Sequence, residues 1–171
     1  ATLDQSVTLV VADITEFYPN TSVASGTATI AKYSPVELRT TCLDFSEIIH
    51  STMYIDTPDG VYSLPGCYGI GLVHSGEVCD LNWADVEARV LGELALFGLR
   101  PAFYGRLVDD VLMALTGSES DKLKIIDAFA KADPKRPVTI VRSEFSVEFL
   151  DVTVYKGSRF MECGIVDTKL H

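Results

Sequence analysis

The chain has 171 residues, of which 47% are hydrophobic and 22% charged, a balance that suits one compact domain and excludes general disorder. Its formal net charge of −10 lies entirely in residues 1–117, which hold five Lys and Arg against fifteen Asp and Glu, while residues 118–171 hold nine of each. Grip on a phosphate backbone comes from Lys and Arg displacing counterions, so the isolated chain is expected to bind duplex nucleic acid poorly. No apolar run approaches the roughly 18 residues of a membrane helix, and the first residues carry no secretory signal. A soluble domain with no membrane partner is expected.

Val7 to Ala12 is an unbroken apolar, β-branched run, as in a strand buried on both faces, and Asp13 follows at its end. The next predicted helix opens at Ser34-Pro35-Val36-Glu37, a capping box with proline at the first helical position, with Leu38, Cys42, Phe45 and Ile49 at helical spacing. Met53 to Asp56 and Val61 to Leu64 flank Thr57-Pro58-Asp59-Gly60, the turn of a hairpin. A glycine-rich stretch from Gly66 to Gly71 leads into a helix over about Gly76 to Phe97, with Val78, Leu81, Val90, Leu94 and Phe97 inward. Ala102 to Leu107 and Val111 to Leu115 read as two strands around Val108-Asp109-Asp110. A helix over Ser120 to Ala132 is stopped by Asp133-Pro134, and strands are expected at Val138 to Arg142, Val147 to Tyr155 and Arg159 to Val166. This order predicts an α+β fold, an antiparallel sheet of the split βαβ (ferredoxin-like) type with helices packed on one face.

Cys42, Cys67, Cys79 and Cys163 form no CxxC or CxxH spacing and are too few to staple a chain of this length, which points to reduced thiols and an intracellular setting. His50, His74 and His171 lack zinc-ligand spacing, so any metal falls to carboxylates. In a split βαβ sheet the first strand lies beside the later hairpin, which would bring Asp13 together with Asp109 and Asp110. Such a cluster repels itself, and a hard divalent cation bound through carboxylate oxygen relieves it. A pair of these ions about 4 Å apart is the clamp of in-line phosphoryl transfer. From the residues alone, Asp109-Asp110 also read as solvated turn residues and Asp13 as the end of a strand.

Asp13-Ile14-Thr15-Glu16-Phe17-Tyr18 resembles the first palm motif of reverse transcriptases, and Arg106-Leu107-Val108-Asp109-Asp110-Val111 resembles their third, the YxDD box. Between them, Gly71 and Ser75-Gly76-Glu77 at a helix start are similar to the second motif. Val147 to Val154 resembles the FLD strand of Penelope-like and related retroelement enzymes. Leu107 stands where most reverse transcriptases have an aromatic residue, and telomerase-type enzymes look similar there. Ser63 or Leu64 stands where the second motif usually has Gln, and Ser75-Gly76 replaces Ser-Pro.

The resemblance implies a palm over residues 1–171 without recognisable fingers or thumb. It implies Asp13, Asp109 and Asp110 as catalytic carboxylates holding Mg²⁺ or Mn²⁺, with the Ile14 carbonyl as a further ligand. Tyr18 would reject a 2′-hydroxyl, Gly71 would admit a close template or incoming base, and Lys135 would protonate pyrophosphate. The partners implied are a primed RNA or DNA template and deoxynucleotides, together with a protein partner or a second copy over the faces that fingers and thumb would cover. Two functions stay open: an RNA-directed DNA polymerase palm, and a non-catalytic structural or interaction subunit of a larger ribonucleoprotein.

Overall fold

The computed structural model describes residues 6–63, 66–69 and 74–170. In chain order it holds β1 (Thr8–Ile14), α1 (Val23–Tyr33), α2 (Arg39–Ser51), β2 (Tyr54–Thr57), β3 (Gly60–Ser63), α3 (Ser75–Leu96), β4 (Phe103–Leu107) and β5 (Asp110–Leu115). There follow α4 (Glu119–Ala130), β6 (Val138–Ser143), β7 (Ser146–Phe149), β8 (Val152–Tyr155), α5 (Ser158–Cys163) and β9 (Asp167–Leu170). No helix among the described residues is long and apolar enough to cross a membrane. The chain divides into two compact units, Ala1–Thr15 with Val86–His171, and Glu16–Asp85.

The unit formed by the two chain ends is built on a four-stranded sheet of order β4-β5-β1-β6, every neighbouring pair antiparallel. The strands therefore follow the split βαβ order that the sequence predicts. Alternation along the strands sends Thr8, Val10, Ala12 and Ile14 of β1 to one face, where all four are buried. Tyr104, opposite Met113 on that face, stacks on Phe129 of α4 at 5.3 Å, and its hydroxyl donates to Glu87 of α3. Both helices thus cover this face. The other face is not bare, as helices on a single face would leave it: Leu9 and Ala114 cluster there with Val147, Val154 and Phe160 from β7, β8 and α5. Those elements form a second, three-stranded sheet of order β7-β8-β9 with one short helix.

The unit over residues 16–85 holds α1, α2, the β2-β3 hairpin and the first half of α3. Its interior includes Phe17 edge-on to Trp83 at 6.4 Å, both almost fully buried. Asn82 donates to Ser25 and Thr29 of α1 at 2.7 and 2.9 Å, and Asp85 accepts from Lys32 at 2.6 Å. At Gly26 a side chain is forbidden by space, because a Cβ there would lie 2.1 Å from the hydroxyl of buried Tyr68.

Several sequence expectations fail for local reasons. Helix α1 was not expected, since Gly26 and β-branched Thr27 and Thr29 lower its propensity; Ser22 caps it through the Ser25 amide. Ser34 then closes α1, its amide bonding Ile30, so Ser34-Pro35 is a connector and α2 starts at Arg39. Its expected apolar stripe stays open, with Leu38 and Phe45 exposed, as are Leu81 and Phe97 of the α3 stripe. Val147 to Tyr155 is a hairpin turned at Leu150-Asp151, with Leu150 at φ +54°, rather than one strand. Residues 159–166 are mostly α5, ended by Gly164 in the left-handed region at φ 68°.

Candidate active site

Backbone register assembles the carboxylates. Asp13, the penultimate residue of β1, sits directly opposite Asp110 at the start of β5, and the Ile14 amide donates to the Asp109 carbonyl at 3.0 Å. Directly opposed residues on antiparallel strands have Cβ atoms about 4.5–5.5 Å apart and side chains on the same face. That face is the one lined by Leu9, Val11, Leu112 and Ala114. Burial fades along β1 from Leu9 through Val11 to exposed Asp13, so the second sheet covers the start of this face and leaves its acidic end in solvent.

Electrostatics record the crowding. Burial first, then the charges of Asp109 and Asp13, push the Asp110 carboxyl above the ordinary carboxylate range. No Lys, Arg or His forms an ion pair with Asp13, Asp109 or Asp110 among the described residues. Among those residues no three His, Cys, Asp or Glu side chains are grouped so as to hold a metal ion. The three aspartates are neighbours through the strands that carry them.

The turn that presents Asp109 is strained. Leu107 pairs with Asp110, so Val108 and Asp109 form a two-residue hairpin, and Val108 adopts φ +57°. A β-branched residue in the left-handed region costs on the order of 1–3 kcal/mol and persists only when its surroundings hold it. Arg106 supplies part of that hold, its Nη1 donating to the Val108 carbonyl at 2.7 Å while its Nε donates to Glu87 at 2.6 Å. Tyr104 donates to the same Glu87 oxygen; burial and then Glu87 push its phenol pKa up, keeping it a protonated donor. Sequence reasoning missed this group. Its one signal was the alternation of Tyr104 and Arg106 with Phe103, Gly105 and Leu107, two polar side chains on one face of an apolar strand.

The other candidates distribute unevenly. Ile14 is buried at the end of β1, tied by register to Val138 and by its amide to Asp109. Lys135 is exposed on the loop that enters β6, whose first residue pairs with Ile14, and its side chain forms no ion pair among the described residues. Its basic neighbours are committed: Lys131 to Asp127, Arg136 to Asp133 at 2.8 Å, and Arg142 to Glu119. Tyr18 belongs to the unit over residues 16–85, half-buried and edge-on to Phe17 at 5.4 Å. Gly71 lies outside the described residues. None of the four cysteines forms a disulfide.

No protein-family profile and no curated protein matches the chain. Solved structures do match it. The telomerase of Candida tropicalis, in the apo form truncated from its C-terminal domain, aligns over 96% of this chain and 35% of its own, at TM-score 0.63 and 16% identity. Telomerase of Candida albicans, solved in complex with a fragment of telomeric RNA, aligns over 99% of this chain and 31% of its own, at TM-score 0.67 and 13% identity. The RNA-dependent RNA polymerase of BmCPV at its elongation state aligns over 89% of this chain and 16% of its own, at TM-score 0.67 and 14% identity. The chain has a nucleic-acid-polymerase-like fold. It spans about a third or less of each of these polymerase chains.

Proposed function

We propose that this chain is a polymerase palm of the reverse-transcriptase type, in which Asp13, Asp109 and Asp110 hold Mg²⁺ or Mn²⁺ for nucleotidyl transfer. The observation that carries the reading is the juxtaposition of three carboxylates, with no ion-paired cationic side chain among the described residues, at the solvent-facing end of a sheet whose fold is polymerase-like. Carboxylate oxygens are the donors that hard divalent ions take, and an ion there would offset the repulsion that raises Asp110. When bound, such an ion supplies charge stabilisation to the attacking and leaving oxygens of an in-line displacement. In this reading the Ile14 carbonyl is a further ligand, Tyr18 and Gly71 contact the nucleotide, and exposed Lys135 is the proton donor to pyrophosphate. A primed RNA or DNA template and deoxynucleotides are the substrates, in keeping with the RNA that the Candida albicans telomerase carries.

A second reading rests on surface and charge. Leu96, Phe97 and Phe145 are 86%, 79% and 79% exposed, and the formal net charge is −10. Both features suit a non-catalytic subunit that docks on a protein partner or on a second copy.

Titration with Mn²⁺, followed by paramagnetic broadening of the aspartate resonances, tests the first reading. Binding that is lost in the Asp13→Asn, Asp109→Asn double variant supports it, and absence of binding in the wild type overturns it. A primed template and deoxynucleotides then separate the two readings. Extension abolished by Asp110→Asn favours the enzyme, whereas Mn²⁺ binding without extension favours the subunit.

A further inference from the structure

The group formed by Tyr104, Glu87 and Arg106 lies on the helix-covered face of the four-stranded sheet, whereas Asp13 and Asp110 lie on the other. It meets the carboxylate end through the backbone of the hairpin, at the Val108 carbonyl. We propose that Arg106 and Glu87 are positioning residues that fix the Val108-Asp109 turn and so hold Asp109 and Asp110 in register against Asp13. The proposal rests on the polymerase reading of those carboxylates.

Three observations support it. The Arg106 and Glu87 side chains are only 9% and 13% exposed, so the pair is substantially desolvated. A buried ion pair is seldom a net source of stability compared with apolar packing, which makes stability alone a weak reason for it to be there. The guanidinium also uses its fork geometry, with Nε engaged by a carboxylate on α3 and Nη1 by a carbonyl in the turn, a division of donors that a lysine ammonium cannot reproduce. Finally, the bonded carbonyl belongs to the one residue of the hairpin in the left-handed region, where an external hold is required. Tyr104 keeps the Glu87 carboxylate in place with a second donated bond.

Two variants test this. Arg106→Lys retains the charge facing Glu87 but not the fork, and the double variant Glu87→Leu with Arg106→Met removes both charges so that neither is left buried alone. Each is examined in the full chain by circular dichroism, by the Val108 Cα and Cβ chemical shifts that report the left-handed backbone, and by Mn²⁺ affinity. The expected result is unchanged circular dichroism, loss of the Val108 signature, and Mn²⁺ affinity lowered about tenfold or more, the usual cost of removing a group that orients metal ligands. Retention of wild-type Mn²⁺ affinity in both variants overturns the proposal, whether or not the Val108 shifts move. A wild type that binds no Mn²⁺ defeats the polymerase reading instead. The Val108 shifts then decide whether Arg106 sets the turn.

Discussion

The two ends of β1 manage charge in opposite ways. Where the strand begins, cations are placed against backbone: Lys122, 6% exposed, donates to the Ser6 carbonyl at 2.6 Å, and Lys156 donates to that of Val7 at 2.5 Å. Thr8 donates to Glu144 at 2.5 Å, so the acidic group there is also engaged. Where the strand finishes, three carboxylates stand together and no cationic side chain pairs with them among the described residues. One end ties its charged groups to backbone and side-chain partners, and the other holds carboxylates that no cationic side chain pairs with among the described residues. The contrast separates what holds the sheet from what the sheet presents.

The largest effect should come from breaking the closed end. Lys122→Ala removes a buried ammonium and its bond to Ser6, and urea unfolding should register a loss of about 2–3 kcal/mol. The open end should respond to divalent ions rather than to truncation. Mn²⁺ at a hundred times its dissociation constant should stabilise the fold by about 2.7 kcal/mol, through binding to the native state alone. Differential scanning calorimetry should show that gain in the wild type and none in the Asp13→Asn, Asp109→Asn variant.

A smaller effect, of opposite sign, is expected at Asp110. Its carboxyl pKa is raised in the fold, so the native state binds the proton more tightly than the unfolded chain, and stability falls as pH rises from the unfolded value through the raised one. Above that window Asp110→Asn should therefore be more stable than the wild type, and the advantage should vanish below the ordinary carboxylate range. Denaturant titrations across that window check the sign; a variant less stable at neutral pH would show that Asp110 is compensated. Smallest of all, Thr8→Val should cost about 0.5–1 kcal/mol, because the Glu144 it releases is half-exposed and can turn to water.

The amino-acid sequence by itself determined the main sheet and the aspartates in it. Val7 to Ala12, Ala102 to Leu107 and Val111 to Leu115 are apolar runs that read as strands, and the short interval Val108-Asp109-Asp110 turns the last two into a hairpin, which the structure tightens to Val108-Asp109 by starting β5 at Asp110. Asp13 and Asp110 then follow from where those strands stop. Elements of weak local preference had to be decided by tertiary contacts. Gly26 and Thr29 do not favour a helix, yet α1 forms where Tyr68 and Asn82 meet it. Leu150 takes a left-handed backbone that its side chain opposes, which folds one apolar run into two strands and lays a second sheet over Leu9 and Ala114. The pairing of Glu87 with Arg106 was equally invisible, because residues 19 positions apart on a helix and a strand become partners only once both lie on the same face of the sheet. Local periodicity reports which face of an element is apolar, and it carries no information about what that face will meet.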